Sequence, residues 1–473
     1  MEATRSRSLD AGDPVLAPAV TPDSLAAFVA GLNGTVVLPS DPAFDEAREV
    51  HNARFDRRPT IVVRAADASD VARAVTFAAS HGLELAVRSG GHSLSGHGTS
   101  DGGVVIDLSP MKGLLIDAER RLAWAQPGLT AGDVTVAAAA HGLAVPFGDT
   151  ASVGIGGLTT GGGIGFLTRK HGLTIDNVVA AEVVTADGRI VTVDESHHPD
   201  LFWAIRGGGG NVGIVTRFVY RLVEVGTVVG GGLVLPATAD SIAGLIEVAR
   251  RAPDELTLIS FVMHAPPLPF IPPDRIGELV IMVLGVFAGD PEAGHAAWSP
   301  IRALGEPLAD LVGPMPYPAI YQFTEAGAAR GGGSIRSWFA DDLDLRDAER
   351  IVSFMRAAPG PGVITQLRVL GGAMARVAPG ATAFSQRDAG VLVAAMAMFD
   401  VGADPAAADA WTAEVFESFV PKMTGVYANF LGPEGEARVR AAYPHGAYET
   451  LASIKRRHDP ANLFRLNQNV APA

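Results

Sequence analysis

GDTASVGIGGLTTGGGIGFLTRKHGLTIDNV, residues 148–178, carries eight glycines between positions 148 and 165. Glycine lets a backbone approach a ligand closely, and concave rows of bare amides suit a pyrophosphate. A flexible linker is the competing reading. Linkers, however, rarely interleave glycine with Val153, Ile155, Leu158, Ile164, Phe166 and Leu167. The segment therefore reads as a ligand cradle resting on a core. A second glycine-rich stretch, VRSGGHSLSGHGTSDGG (87–103), places His92 directly after Gly90 and Gly91.

Around these two loops strands alternate with helices. TIVVRA (60–65) and LELAVRS (83–89) have strand character, and DASDVARAVTFAASHG (67–82) between them predicts a helix capped by Asp67 or Ser69 and ended by Gly82. The three form a plausible βαβ unit with the His92 loop at its exit. TAGDVTVAAAAHGL (130–143) predicts another helix, and DNVVAAEVVTADGRIVTV (176–193) a hairpin turning at Asp187-Gly188. From about Gly226 proline-rich connectors separate apolar strands such as ELVIMVLGVFA and ITQLRVL, with helices at ADSIAGLIEVARRAP and LRDAERIVSFMRAAP. The stretch from Tyr427 onward reads as strand, loop and helix with the tail NLFRLNQNV.

Composition narrows the function. The chain has 473 residues and a formal net charge of −14, which argues against nucleic-acid or anionic-membrane partners. The basic cluster Lys455-Arg456-Arg457-His458 reads as cations at a helix C-terminus. With no cysteine, disulfides, thiol nucleophiles and sulfur-linked cofactors are impossible. MEATRSRSLDAGDPV has no apolar core of a signal peptide, so a cytoplasmic location is expected. GGGNVG (208–213) fits the dinucleotide pattern, yet an alternating β pattern follows where a helix is needed. GTSDG (98–102) fails as a nucleophile elbow for the same reason. The twelve histidines show no metal-ligand spacing, so no metal is expected.

Four stretches together carry a resemblance: RSGGHS (88–93), the 148–178 segment, DLFWAIRGGGGNVGIVT (200–216), and GVYANF with KRRHDPANLFRLNQNV near the end. The chain resembles flavoprotein oxidases of the vanillyl-alcohol oxidase/p-cresol methylhydroxylase (PCMH) superfamily, in the berberine-bridge-enzyme-like branch and its D-hydroxynicotine-oxidase type. The resemblance implies an α+β fold in two domains. A PCMH-type FAD-binding domain is expected over 1–225, returning over 410–473, with an antiparallel-sheet substrate domain inserted at 226–409.

It also implies site residues. His92 stands where the family bonds a histidine to the flavin, and Thr150 where many relatives carry a second, cysteinyl link, so a single tether through His92 is expected. Arg88, Ser89, Gly90, Gly91, Ser93, Gly148, Thr150, Val153, Gly154, Gly157, Gly161, Gly162, Gly163, Gly165, Asn177, Asn467 and Asn469 are the candidate FAD-binding set. Val153 lies where valine accompanies reaction with dioxygen. Tyr427 and Asn429 match a Y-x-N pair; two apart on a strand, they would face one pocket. Tyr427 is then the candidate base, which at neutral pH demands a perturbed environment, since a free phenol titrates near about 10. Gln366 and Arg368 are substrate-pocket candidates on one strand face. The reaction implied is hydride transfer from a C–H next to O or N of a small substrate to FAD, with dioxygen as acceptor and hydrogen peroxide as product. A dehydrogenase using another acceptor, a tailoring enzyme of secondary metabolism and a non-enzymatic flavin binder remain alternatives.

Overall fold

The computed structural model of the protein describes residues 20–325 and 330–473; MEATRSRSLDAGDPV lies outside them. The helix predicted over 67–82 spans Ala68–Ser80, and the Asp67 carboxylate accepts from the Ser69 and Asp70 amides. The flanking strands, Ile61–Arg64 and Leu85–Arg88, run parallel but do not touch. Each pairs with Val104–Asp107 between them. VVID takes the centre because Val104, Val105 and Ile106 suit burial on both faces and the buried Asp107 is paired with Arg88 at 2.9 Å. A fourth strand, Thr35–Val37, closes the far edge antiparallel.

A second, antiparallel sheet runs Leu114–Asp117, Leu122–Ala125, Ile214–Arg221, Val178–Val184, Ile190–Val193. Its last two strands are the predicted 176–193 hairpin. Ile214–Arg221 directly follows GGGNVG, so that glycine run feeds a strand and not a helix. Within the glycine-rich segment Ile155–Gly161 forms a short helix. Glycine opposes helix formation by up to about 1 kcal/mol per residue. Here burial of Ile155 and Leu158 in the core of the second sheet offsets that cost.

From Thr227 the chain enters a nine-stranded antiparallel sheet. Successive side chains point to opposite faces, and the two faces have different partners. Leu256, Leu258, Val262, Val363, Leu367, Val391 and Val393 face a helical layer, whereas Ile259, Phe261, Phe339 and Leu392 face the glycine-rich segment. Four helices make the layer: Ala239–Arg251, Pro291–Arg302, Leu345–Arg356 and Ala406–Phe419. Two were anticipated. Pro291–Arg302 hides behind an internal Pro300, and Ala406–Phe419 lies across the expected domain boundary at 409–410.

The expected return to the first domain at residue 410 falls inside that last helix. Trp411, Val415 and Phe419 pack on the large sheet, and Met423–Gly425 adds its edge strand, so the chain leaves this layer only after Gly425. No strand follows Tyr427. A 3-10 turn at Ala428–Phe430 leads to helices Glu436–Ala442 and Ala447–His458 and an irregular tail. The basic last turn is present, but Lys455 is not one of its solvated cations. It is fully buried, donating to the Phe464 carbonyl at 2.7 Å and Asn469 Oδ1 at 2.9 Å, with Asp459 3.6 Å away. Burial lowers its pKa to about 8 against the pull of Asp459. Among the described residues no helix is long and apolar enough to cross a membrane.

Candidate active site

Five segments close a ring at the junction of the two modules: 89–97, 148–165, 206–211, 427–431 and 467–470. Gly90 and Gly154 join the first two. A Cβ on Gly154 would sit 2.3 Å from Gly90 N and 2.4 Å from Ser89 Oγ, so only bare backbones fit there. The Thr160 carbonyl accepts from the Gly207 and Gly209 amides at 2.9 Å, bringing in the third segment. The tail completes the ring: Asn467 Nδ2 donates to the Gly210 carbonyl at 3.1 Å, and Gln468 Nε2 donates to Ser95 Oγ at 3.1 Å and the Leu431 carbonyl at 2.8 Å. Asn211 clamps the tail, donating to the Gln468 carbonyl and accepting from the Val470 amide.

His92 lies half-buried on the rim of this ring. Burial is the main reason its pKa falls to about 4, with repulsion from His51 second; a hydrogen bond to the Ser152 main chain opposes both. At neutral pH the ring is neutral imidazole with a lone pair free.

The Y-x-N pair meets, though not on a strand. Tyr427 precedes the 3-10 turn that carries Asn429, and its Oη accepts from the Gly163 amide at 2.9 Å and Asn429 Nδ2 at 3.1 Å. Gly162 and Gly163 have φ of 138° and 80°, the region that favours glycine, which lets the Gly163 amide reach that oxygen. Burial raises the Tyr427 pKa despite these two donors and the nearby Arg368 cation. The perturbation thus holds the group as a neutral phenol. Phe339, Phe384 and Phe430 surround its ring.

Gln366 and Arg368 occupy the sheet face turned toward Tyr427, and both are buried. Arg368 donates to Gln366 Oε1 at 2.9 Å, to the Ile164 carbonyl at 2.8 Å and to Asp149 Oδ2 at 2.8 Å. This pair ties the glycine-rich segment to the large sheet. Asp149 was missed as a site residue, although an acid beside Gly148 in an otherwise apolar, glycine-rich run is a legible signal. His51, Ser152, Asn211 and Gln468 were also missed; only three-dimensional neighbours reveal them.

Several candidates serve the scaffold. Arg88 binds Asp107 at 2.9 Å and the Ala47 and Glu49 carbonyls. Asn177 donates to the His171 and Leu173 carbonyls. Ser89 Oγ accepts from the Gly156 amide, and Ser93 Oγ from the His97 amide. A Cβ on Gly148, Gly161 or Gly165 would meet Leu158, Asn429 or Phe147. Beyond Gly91, a Cβ would approach Arg88 Cδ at 3.5 Å. Asn469 accepts from Lys455. Thr150 is half-buried with its carbonyl bound by the Val153 amide, and Val153 packs on the core of the second sheet.

Other groups face outward or lack protein partners, as a ligand site requires. A Cβ on Gly157 would meet nothing within 4 Å, nor would one on Gly209. Ser152 Oγ and Asn467 Oδ1 are buried without a hydrogen-bond partner among the described residues. Buried polar atoms of this kind call for a bound partner. A dinucleotide with many acceptors and donors fits them. Among the described residues no cluster of His, Asp and Glu could hold a metal ion.

Comparison with known proteins decides the family. Residues 59–194 match the FAD binding domain family model and residues 426–471 the berberine and berberine-like model. (R)-6-hydroxynicotine oxidase of Paenarthrobacter nicotinovorans is 31% identical over 454 residues, covering 93% of this chain and 97% of that protein. The chain belongs to the berberine-bridge-enzyme-like FAD-linked oxidoreductases. An uncharacterized FAD-linked oxidoreductase of Bacillus subtilis is 30% identical, with 93% and 97% covered. The crystal structure of 6-hydroxy-D-nicotine oxidase from Arthrobacter nicotinovorans superimposes on this oxidoreductase with a TM-score of 0.83 at 28% identity, covering 93% and 98% of the two chains. Each of the four stretches that carried the resemblance contributes residues to the ring, and four of the five ring segments lie within the residues that the two family models match.

Proposed function

We propose that this oxidoreductase is an oxidase carrying FAD attached through His92 alone. The observation that carries the reading is His92 itself: a neutral, half-buried imidazole set by a backbone-to-backbone contact of the two glycine-rich loops. The chain has no cysteine to supply a second link. When bound, FAD supplies the hydride acceptor and the route for electrons to dioxygen, with hydrogen peroxide as product. The substrate class is a small organic molecule with a C–H adjacent to oxygen or nitrogen, a class that includes the hydroxynicotine named for the similar oxidase.

The chain's own residues define the rest. Gly157, Ser152 and Asn467 hold the cofactor, while Gly90 and Gly154 keep the loops in register around it. Val153, half-buried against the core of the second sheet within the glycine-rich segment, is the residue assigned to support reaction with dioxygen. Tyr427, held by Gly163 and Asn429, takes the proton that leaves the substrate heteroatom in its ionised form and becomes a neutral phenol. Its raised pKa keeps it a phenol at rest, so the phenolate is the minor species at neutral pH and the rate rises with its ionisation. Phe339, Phe384 and Phe430 exclude water from that proton transfer, and Arg368 stacks over Phe430 at 4.8 Å to complete the wall.

Acid precipitation tests the attachment. Yellow colour retained in the washed pellet of the native protein and lost in His92→Ala supports the reading. Colour released from the native protein leaves an FAD enzyme but removes the covalent bond. Mixing the reduced enzyme with air-saturated buffer tests the acceptor: reoxidation within seconds with peroxide formed marks an oxidase, and persistence of the reduced form marks a dehydrogenase.

A further inference from the structure

His51 and His92 stack face to face, with ring centroids 4.1 Å apart and planes within 20°. The stack belongs to the first module and sits where it meets the large sheet. The His51 amide donates to the Gly91 carbonyl at 3.0 Å, which fixes it beside the His92 loop. Its neighbours Asn52 and Ala53 are bound to Gly333 and Gly331 of the large sheet. The charged groups nearby are Arg330 and Glu49, themselves paired at 3.3 Å. Burial and the Arg330 cation lower the His51 pKa, so this ring too is held toward its neutral form. Two imidazoles in face contact disfavour each other's protonation, because like charges at this range repel.

We propose that His51 is a positioning residue for FAD attachment: its ring holds the plane of the His92 imidazole and keeps a ring nitrogen of His92 free to bond. The inference rests on the covalent reading above. Attachment removes one hydrogen from the flavin methyl group and one from the imidazole nitrogen, forms a C–N bond, and leaves an electron pair on the flavin. Dioxygen takes that pair with two protons and departs as hydrogen peroxide. His51 enters no bond. It limits the swing of the nucleophile, and loss of such orientation can cost up to about 100-fold in rate.

The test follows acid-stable flavin against time. Native protein, His51→Ala, His51→Phe and His92→Ala are produced under riboflavin limitation, incubated with FAD in air, and sampled for in-gel flavin fluorescence normalised to total bound flavin. His51→Ala is expected to bind FAD yet attach it about tenfold more slowly, while His51→Phe, which keeps a flat ring in the stack, stays within about threefold of native. Should His51→Ala precipitate, His51→Leu, of similar bulk and unable to stack, carries the same comparison. Attachment in His51→Ala at the native rate overturns the inference and leaves His92 as the link. A His51→Phe as slow as His51→Ala overturns it as well, since the imidazole proton would then matter and not the stack. Loss of FAD binding altogether makes His51 a scaffold residue. Absence of acid-stable flavin in the native protein removes the covalent reading first, and this inference with it.

Discussion

Asp149→Asn is the substitution for which the structure gives the sharpest magnitude. Arg368 has a side chain only 4% exposed, and Asp149 one only 15% exposed, with 2.8 Å between Nη2 and Oδ2. The other Arg368 donors go to the neutral Gln366 and Ile164 oxygens, so Asp149 is its sole ionic partner in that contact set. Removing one partner of a buried pair leaves an uncompensated charge, at a cost of about 3–5 kcal/mol. Asparagine keeps an oxygen for Nη2, which places the expected loss at about 3 kcal/mol. Urea unfolding of the flavin-loaded protein, followed by tryptophan fluorescence, reads this as a lower midpoint at unchanged slope. The double variant Asp149→Leu with Arg368→Leu removes both desolvated charges and is expected to lose far less than the two single leucine variants summed, giving a coupling energy well above that of surface pairs. A loss below about 1 kcal/mol in Asp149→Asn, the range of exposed pairs, would refute the claim that this contact ties the cradle to the large sheet.

Tyr427→Phe is expected to slow flavin reduction by substrate by about 10²–10⁴-fold. Because burial raises the Tyr427 pKa, any rise in native rate that reports its ionisation lies above the ordinary phenol range and vanishes in the variant; stopped-flow reduction between pH 6 and 11 checks both, and a neutral-pH limb that survives in Tyr427→Phe assigns proton removal elsewhere. Gly154→Ala puts a Cβ 2.3 Å from Gly90 N, which costs about 1–3 kcal/mol in forced displacement. Lower thermal stability and lower flavin content are expected together, and retention of both would show that the two loops can part. Burial lowers both His97 and His171 to a pKa of about 4 from 6.5. Between those values the unfolded chain binds more protons than the native one, so stability falls as pH drops through that window; a flat denaturation midpoint from pH 6.5 to 4 would contradict their burial as neutral rings.

Periodicity and turn chemistry made the first module legible, because its βαβ start and its hairpin rest on local patterns: the Asp67 cap, the Asp187-Gly188 turn, alternating apolar runs. The glycine loops were legible as a cradle for a different reason, the insertion of apolar residues among glycines, and Ile155 and Leu158 do lie in the core. What sequence could not give was pairing across distance. Tyr427 and Asn429 were expected to share a strand face; they meet instead because the chain turns at Ala428–Phe430 and the phenol folds back onto Gly163, 264 positions away. Arg368 looks like any strand arginine until Asp149 arrives from another module, and Lys455 like a solvated helix-end cation until the tail curls over it. For Tyr427 and Arg368 the deciding partner lies far along the chain, for Lys455 it lies in an irregular tail, and neither kind of contact leaves a periodic mark. Yet these are the contacts that close the ring, since the strands and helices supply rigid walls while the side chains that cross between modules set where the walls meet. The site is therefore predicted to be more sensitive to Asp149, Tyr427 and His51 than to any single residue of the helical layer, where volume-conserving exchanges cost under about 1.5 kcal/mol.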